Sequence, residues 1–106
     1  MAKYLVVASY TAEGIKGVVS KGGSARRDAV GKMIADAGGT MEAFYFGFGE
    51  ADAYVLVDLP DNVSAAAVGL AVSATGLAST RTTVLLTAEE IDQAAKTKIN
   101  YKAPGS

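Results

Sequence analysis

The chain contains no cysteine and no histidine. The first absence excludes a disulfide, a thiolate metal site and a Cys nucleophile. The second removes Ser-His-Asp chemistry, His-ligated zinc and a haem held by a proximal His. Charge of one sign is also lacking. Ten Lys and Arg stand against eleven Asp and Glu, a net charge of −1. No general attraction to nucleic acid or to an anionic membrane follows from that balance. No apolar run reaches the roughly 18 residues that a membrane span needs. The first ten residues, Met1 to Tyr10, are apolar for only a short stretch and lead into strand-forming residues. That stretch is too short for a signal-peptide core, so a cytoplasmic protein is expected. No cofactor and no metal are expected.

At 106 residues the chain is read as one domain, residues 1–106. A chain of this size buries roughly 60–70% of its unfolded surface, enough for one core without staples. Half the residues are hydrophobic and 20% are charged, which argues against disorder.

Residues 40–59 hold all three Phe and two of the five Tyr. They read as two strands joined by a tight type II′ turn at Gly49-Glu50. That turn pairs Phe48 with Ala51, Phe46 with Ala53, Phe44 with Val55 and Tyr45 with Tyr54. Alternation then gives one face to Phe44, Phe46, Phe48, Ala53, Val55, Val57 and Leu59. The other face carries Met41, Ala43, Tyr45, Asp52, Tyr54, Leu56 and Asp58. Neither is plainly a water face. Phe46 is expected in the core, where removing a buried ring costs roughly 3–5 kcal/mol.

Residues 3–10 read as a first strand, with Leu5, Val7 and Ser9 opposite Tyr4, Val6, Ala8 and Tyr10. Residues 11–38 read as helix in two pieces. Thr11 caps the first, whose apolar face is Ile15, Val18 and Val19, and Gly22-Gly23 breaks it. Ser24 caps the second, with Ala25, Ala29, Val30, Met33, Ile34 and Ala37 as its apolar side. Gly38-Gly39 stops it. After Pro60, Asp61 or Asn62 caps a helix over residues 63–74 that carries no charge. Val63, Ala66, Ala67, Leu70, Ala71 and Ala74 form one face, Val68 and Val72 point elsewhere, and a helix apolar all round is expected to be covered on more than one side. A last strand covers residues 77–86. Thr87 and Glu90 form a capping box for a short final helix. Residues 99–106 are a loosely held tail.

The order β-α-β-β-α-β plus a short C-terminal helix predicts an α+β, ferredoxin-like domain with a four-stranded antiparallel sheet. Both main helices lie on one sheet face. The other face is too apolar for water, which predicts a second sheet from a partner chain and hence a homodimer or higher oligomer.

Tyr4-Leu5-Val6, Ser9-Tyr10-Thr11, Gly23-Ser24-Ala25-Arg26-Arg27, Gly38-Gly39, Phe44-Tyr45-Phe46 and Gly49-Glu50-Ala51-Asp52 together resemble the GYD-domain family. So do Asp58-Leu59-Pro60-Asp61 and Thr83-Val84-Leu85-Leu86-Thr87. The family's members are small bacterial and archaeal proteins of unassigned function. The resemblance therefore implies a fold, of the dimeric α+β-barrel type, and not a reaction. In this chain Ala51 stands where the family's Gly-x-Tyr-Asp turn carries Tyr, so a role tied to that ring does not transfer.

Two clusters are candidate sites. In Gly22-Gly23-Ser24-Ala25-Arg26-Arg27, a helix N-terminus and two guanidinium groups favour an anion. The plainer reading is a helix break with two solvated or salt-bridged Arg. One arrangement sends one Arg to Glu50 or Asp52, or to a partner chain, and leaves the other lining an anion cleft. The second cluster is Tyr45, Tyr54, Glu50, Asp52 and Asp58 on or beside the hairpin. A carboxylate beside a phenol could act as a general base, or oxygen ligands could hold a hard cation. The plainer reading is a turn with exposed acids and a cross-strand Tyr pair at an interface. Arg81 either pairs with Asp52 or Asp58 or sits at a sheet edge.

The expected partners are the chain itself and a small anionic or aromatic molecule. The preferred function is a binding or interaction module. The alternative is a cofactor-independent enzyme of the dimeric α+β-barrel type acting on a small organic molecule, a fold-level analogy. An apolar pocket lined by Tyr and one buried acid would favour the enzyme, and a filled core the module.

Overall fold

In β1 (Ala2–Tyr10) the side chains alternate between faces, and every second one, Tyr4, Val6 and Ala8, is buried. A computed structural model describes all of residues 1–106. After β1 come α1 (Ala12–Lys21), α2 (Gly23–Asp36), β2 (Thr40–Phe46), β3 (Ala53–Leu59), α3 (Asn62–Ser73), β4 (Ala78–Leu85) and α4 (Ala88–Lys96). The four strands form one antiparallel sheet in the order β2-β3-β1-β4. This is the ferredoxin-like arrangement expected from the element order.

One side of the sheet holds the core. Tyr4, Val6, Val55, Val57 and Leu59 pack there against Val30 and Ile34 of α2 and Ala65 and Val68 of α3. The Tyr4 hydroxyl, the one polar group of that buried set, donates to the Asn62 side chain at 2.6 Å. Satisfying that hydroxyl removes the penalty its burial would carry.

Helices begin and end where side chains or glycines satisfy the free backbone groups. Thr11 and Asp61 accept from Gly14 N–H and Ser64 N–H, and the Thr87–Glu90 capping box is complete. Gly22 separates α1 from α2 with φ of 90°, a conformation that favours glycine. Gly14 lets α1 approach the last strand closely, since a Cβ there would stand 2.1 Å from the Leu77 carbonyl oxygen.

Several details differ from expectation. The strand pairs Phe44–Val55, Tyr45–Tyr54 and Phe46–Ala53 are present. The type II′ turn is not, because Gly49 lacks the positive φ it requires. The loop is wider, closed by Gly47 N–H to the Asp52 carbonyl at 2.8 Å. Phe48 is therefore exposed at the tip, while Ala51 is buried. A bulge between Met41 and Ala43 places Met41 opposite Val57, so it packs on the core instead of the outer face. Phe46 lies on the helix side but is not core: it is 44% exposed, edge-on to Phe44 at 5.0 Å and against Gly23. Its strand is the sheet's edge, and α2 begins only at that point, so one side of the ring has nothing over it.

Ser24 is not the cap of α2. The helix starts two residues earlier, at Gly23, with Gly22 in the cap position and no side-chain bond. Ala25 and Ala29 are exposed, and only the Val30, Met33, Ile34 and Ala37 side of α2 packs. In α1 nothing is buried, and Val19 points to solvent. Helix α3, expected to be covered on more than one side, is covered on one only. Ala65 and Val68 are buried, with Val72 half-buried, while Val63, Ala66, Ala67, Leu70, Ala71 and Ala74 are exposed. A helix that is apolar all round carries no rotational signal in its sequence.

The second face of the sheet has no cover. Leu5, Val7 and Leu56 are half-buried there, and Tyr45 and Tyr54 are exposed. Helix α4 also stands apart: all its residues are exposed and it makes no extensive contact with another element. The radius of gyration is 17.0 Å, against about 13 Å for a compact chain of this length. No helix is long and apolar enough to cross a membrane.

Candidate functional site

The sequence candidates fall in three separate places. Arg26 enters a cleft between α1, α2 and α3. Its Nε donates to the Tyr10 hydroxyl at 3.3 Å, and its guanidinium carbon lies 5.7 Å from the centre of the Tyr10 ring. Arg27, the next residue, points away and pairs with Asp28 on the surface at 3.2 Å. A step of about 100° per residue on a helix separates them. Neither reaches Glu50 or Asp52.

Asp52 has a structural task. Its Oδ2 accepts the Tyr10 N–H at 2.8 Å, and its own N–H donates to the Ala8 carbonyl at 2.9 Å. These two bonds tie the hairpin loop to the end of β1. Tyr10 is thus held from both sides, by Asp52 at its backbone and by Arg26 at its hydroxyl. Glu50 is exposed at the loop tip. Tyr45 and Tyr54 are cross-strand neighbours on the open sheet face. The acids near the hairpin do not converge: no group of three or more Asp or Glu side chains stands close enough to hold a metal ion.

Arg81 sits exposed on β4, an edge strand, without an ion pair. The cation beside Asp58 is Lys3, 3.3 Å away and also paired with Glu42. The hydrogen bond to Glu42 raises the Lys3 pKa above its usual value. This charged trio sits at one end of the open sheet face. At the entry to α3, bonds from the Ser64 backbone N–H and then its hydroxyl hold the Asp61 carboxyl below its usual pKa of 3.8.

The cleft around Arg26 has a volume of about 390 Å³, within the range of small-molecule sites. Its apolar wall includes Met33 of α2, Val72 of α3 and Leu77 just before β4. Tyr10 forms the floor at the end of β1, and Glu13, Lys21 and Arg26 supply the charges. A second void of about 30 Å³ shares Tyr10, Arg26, Met33, Val72 and Ala78 with the cleft and is also lined by Val6 and Val55. Tyr10 and the α1 residues of this cleft carry no site signal in the sequence. The available clue was the position of Tyr10 at a strand end directly before a helix cap, where loops of a layered α+β fold gather side chains.

The cleft meets part of the criterion for an enzyme, since a Tyr lines an apolar cavity. The second part is missing, because no charged residue of the chain is buried. Neither the curated proteins nor the solved structures contain a match to this chain. The sequence model of the GYD domain matches residues 4–95, from β1 almost to the end of α4. With most of its length covered by that match, the chain belongs to the GYD-domain family.

Proposed function

We propose that the protein is a homo-oligomeric binding module. Two chains close their open sheet faces on each other, and each keeps its helix-side cleft free for a small molecule. The uncovered sheet face carries this reading. Leu5, Val7, Tyr45, Tyr54 and Leu56 share it, and no element of the chain lies over it. Arg81 flanks this apolar strip beside Val7 at the β4 edge, and a strip of this kind is stable in water when a second surface covers it. A two-fold pairing of identical faces closes on itself. Helix α4 supports the same reading. It is well capped, yet a helix of nine residues is marginal in water unless its apolar side packs on something. Its exposed Ile91 and the nearby Leu86 and Ile99 give it an apolar side for a second copy.

The enzyme alternative asks for an acid buried beside the cleft Tyr, and the burial pattern favours binding over catalysis. The test is molecular mass in solution by light scattering or sedimentation. A dimer or larger assembly is expected at micromolar concentration, and Tyr54→Asp is expected to reduce it to a folded monomer. A wild-type chain that stays monomeric overturns the reading.

A further inference from the structure

The charges of the α1–α2–α3 cleft do not balance. Its acid, Glu13, is paired with Lys16 at 3.2 Å. Its cations, Lys21 and Arg26, have no carboxylate within ion-pair distance. Arg26 is half-buried and held by Tyr10, so its guanidinium is oriented before any ligand arrives. A fixed guanidinium matches the two oxygens of a carboxylate. Behind it the wall is apolar, with Met33, Val72 and Leu77.

The helix walls are also kept short. Gly17 lies inside α1, where glycine costs about 1 kcal/mol relative to alanine. A Cβ at Gly17 would meet nothing within 4 Å, so no packing demands glycine there. What its absent side chain preserves is room on the cleft wall.

We infer that this cleft binds a small organic acid. The carboxylate sits on Arg26 with Lys21 at the rim, and the apolar body lies against Met33, Val72 and Leu77. A bare phosphate would use the cations and leave the apolar wall wet. A neutral body would fill the wall and leave the guanidinium without its anion. This deepens the binding-module reading and rests on its ligand half, not on how the sheets pair.

The experiment titrates the full chain with hexanoate, hexanol and inorganic phosphate, following backbone amide signals by NMR. Oligomer mass is measured on the same samples. Hexanoate is expected to bind saturably and to move the signals of Gly17, Arg26 and Val72. Hexanol and phosphate are expected to bind at least tenfold more weakly. Arg26→Gln should weaken hexanoate about tenfold or more, and Gly17→Leu should block it by filling the cleft. Arg27→Gln, on the outer surface, should leave binding unchanged. The inference is overturned if hexanoate does not bind, if phosphate binds as well as hexanoate, or if both cleft variants bind hexanoate like the wild type. Any of these with the oligomer mass intact rejects the organic acid and leaves the assembly standing. A monomeric mass with hexanoate still bound at Arg26 does the reverse.

Discussion

The two faces of the sheet are built from alternate residues of the same strands, and they have opposite surroundings. In β1, Tyr4, Val6 and Ala8 are buried while Leu5 and Val7 beside them are half-buried. In β3, Ala53, Val55, Val57 and Leu59 are buried, whereas Leu56 is half-buried and Tyr54 is exposed. Hydropathy hardly separates the two sets. What separates them is that α2 and α3 both lie on one side. The strand-helix-strand connections of such a sheet share one hand, so the helices they carry land on the same face. An apolar residue here is core or surface according to where the helices fall, not according to its own chemistry.

The largest effect should come from opening the covered face. Leu59→Ala is expected to lose about 2–5 kcal/mol in urea denaturation, because Leu59 is fully enclosed and its removal leaves a cavity. Leu56→Ala, three residues earlier on the opposite face, should change the stability of dilute protein by no more than about 0.5 kcal/mol. It should instead weaken self-association in sedimentation. Equal losses for the two variants would erase the distinction between the faces.

Phe46→Ala tests the boundary between them. The ring is on the helix side but nearly half exposed. Its loss should cost about 1–2 kcal/mol, below the range for an enclosed Phe. A melting curve showing a full core-sized loss would mean that the ring is covered in solution, by a partner or by the hairpin loop.

The smallest expected effect concerns pH. The folded pKa of Asp61 is depressed by the Ser64 bonds. Its contribution is therefore present above the usual carboxylate value of 3.8 and is lost as pH falls through the lower folded value. Stability measured between neutral pH and about pH 3 should decline at the acid end. Asp61→Asn keeps a cap and should flatten that decline slightly. An unchanged profile in the variant would remove Asp61 as a contributor.

The candidate site was legible only in part. Arg26 stood out as a cation early in a helix, and it does face a cleft. Arg27, identical in chemistry and adjacent in sequence, does not, since one residue of helix turns it to the surface. Tyr10 carries no such mark, because nothing local distinguishes a floor residue from any other strand Tyr. The Gly14, Gly17 and Leu77 surroundings belong to segments far apart in sequence that only the folded chain brings together.

By itself the sequence determined the order of elements, the sheet, the caps at Thr11, at Asp61 or Asn62, and at Thr87, and the register of Tyr45 on Tyr54. Those features follow from backbone sterics, local hydrogen bonding and the two-residue period of a strand, all written over short distances. Tertiary structure decided the bulge that turned Met41 inward, the half-covered Phe46, the rotation of α3 and the cleft around Arg26. In each case the residues are apolar or charged on more than one side. Competition among long-range contacts for the limited helix cover then chose which side was buried.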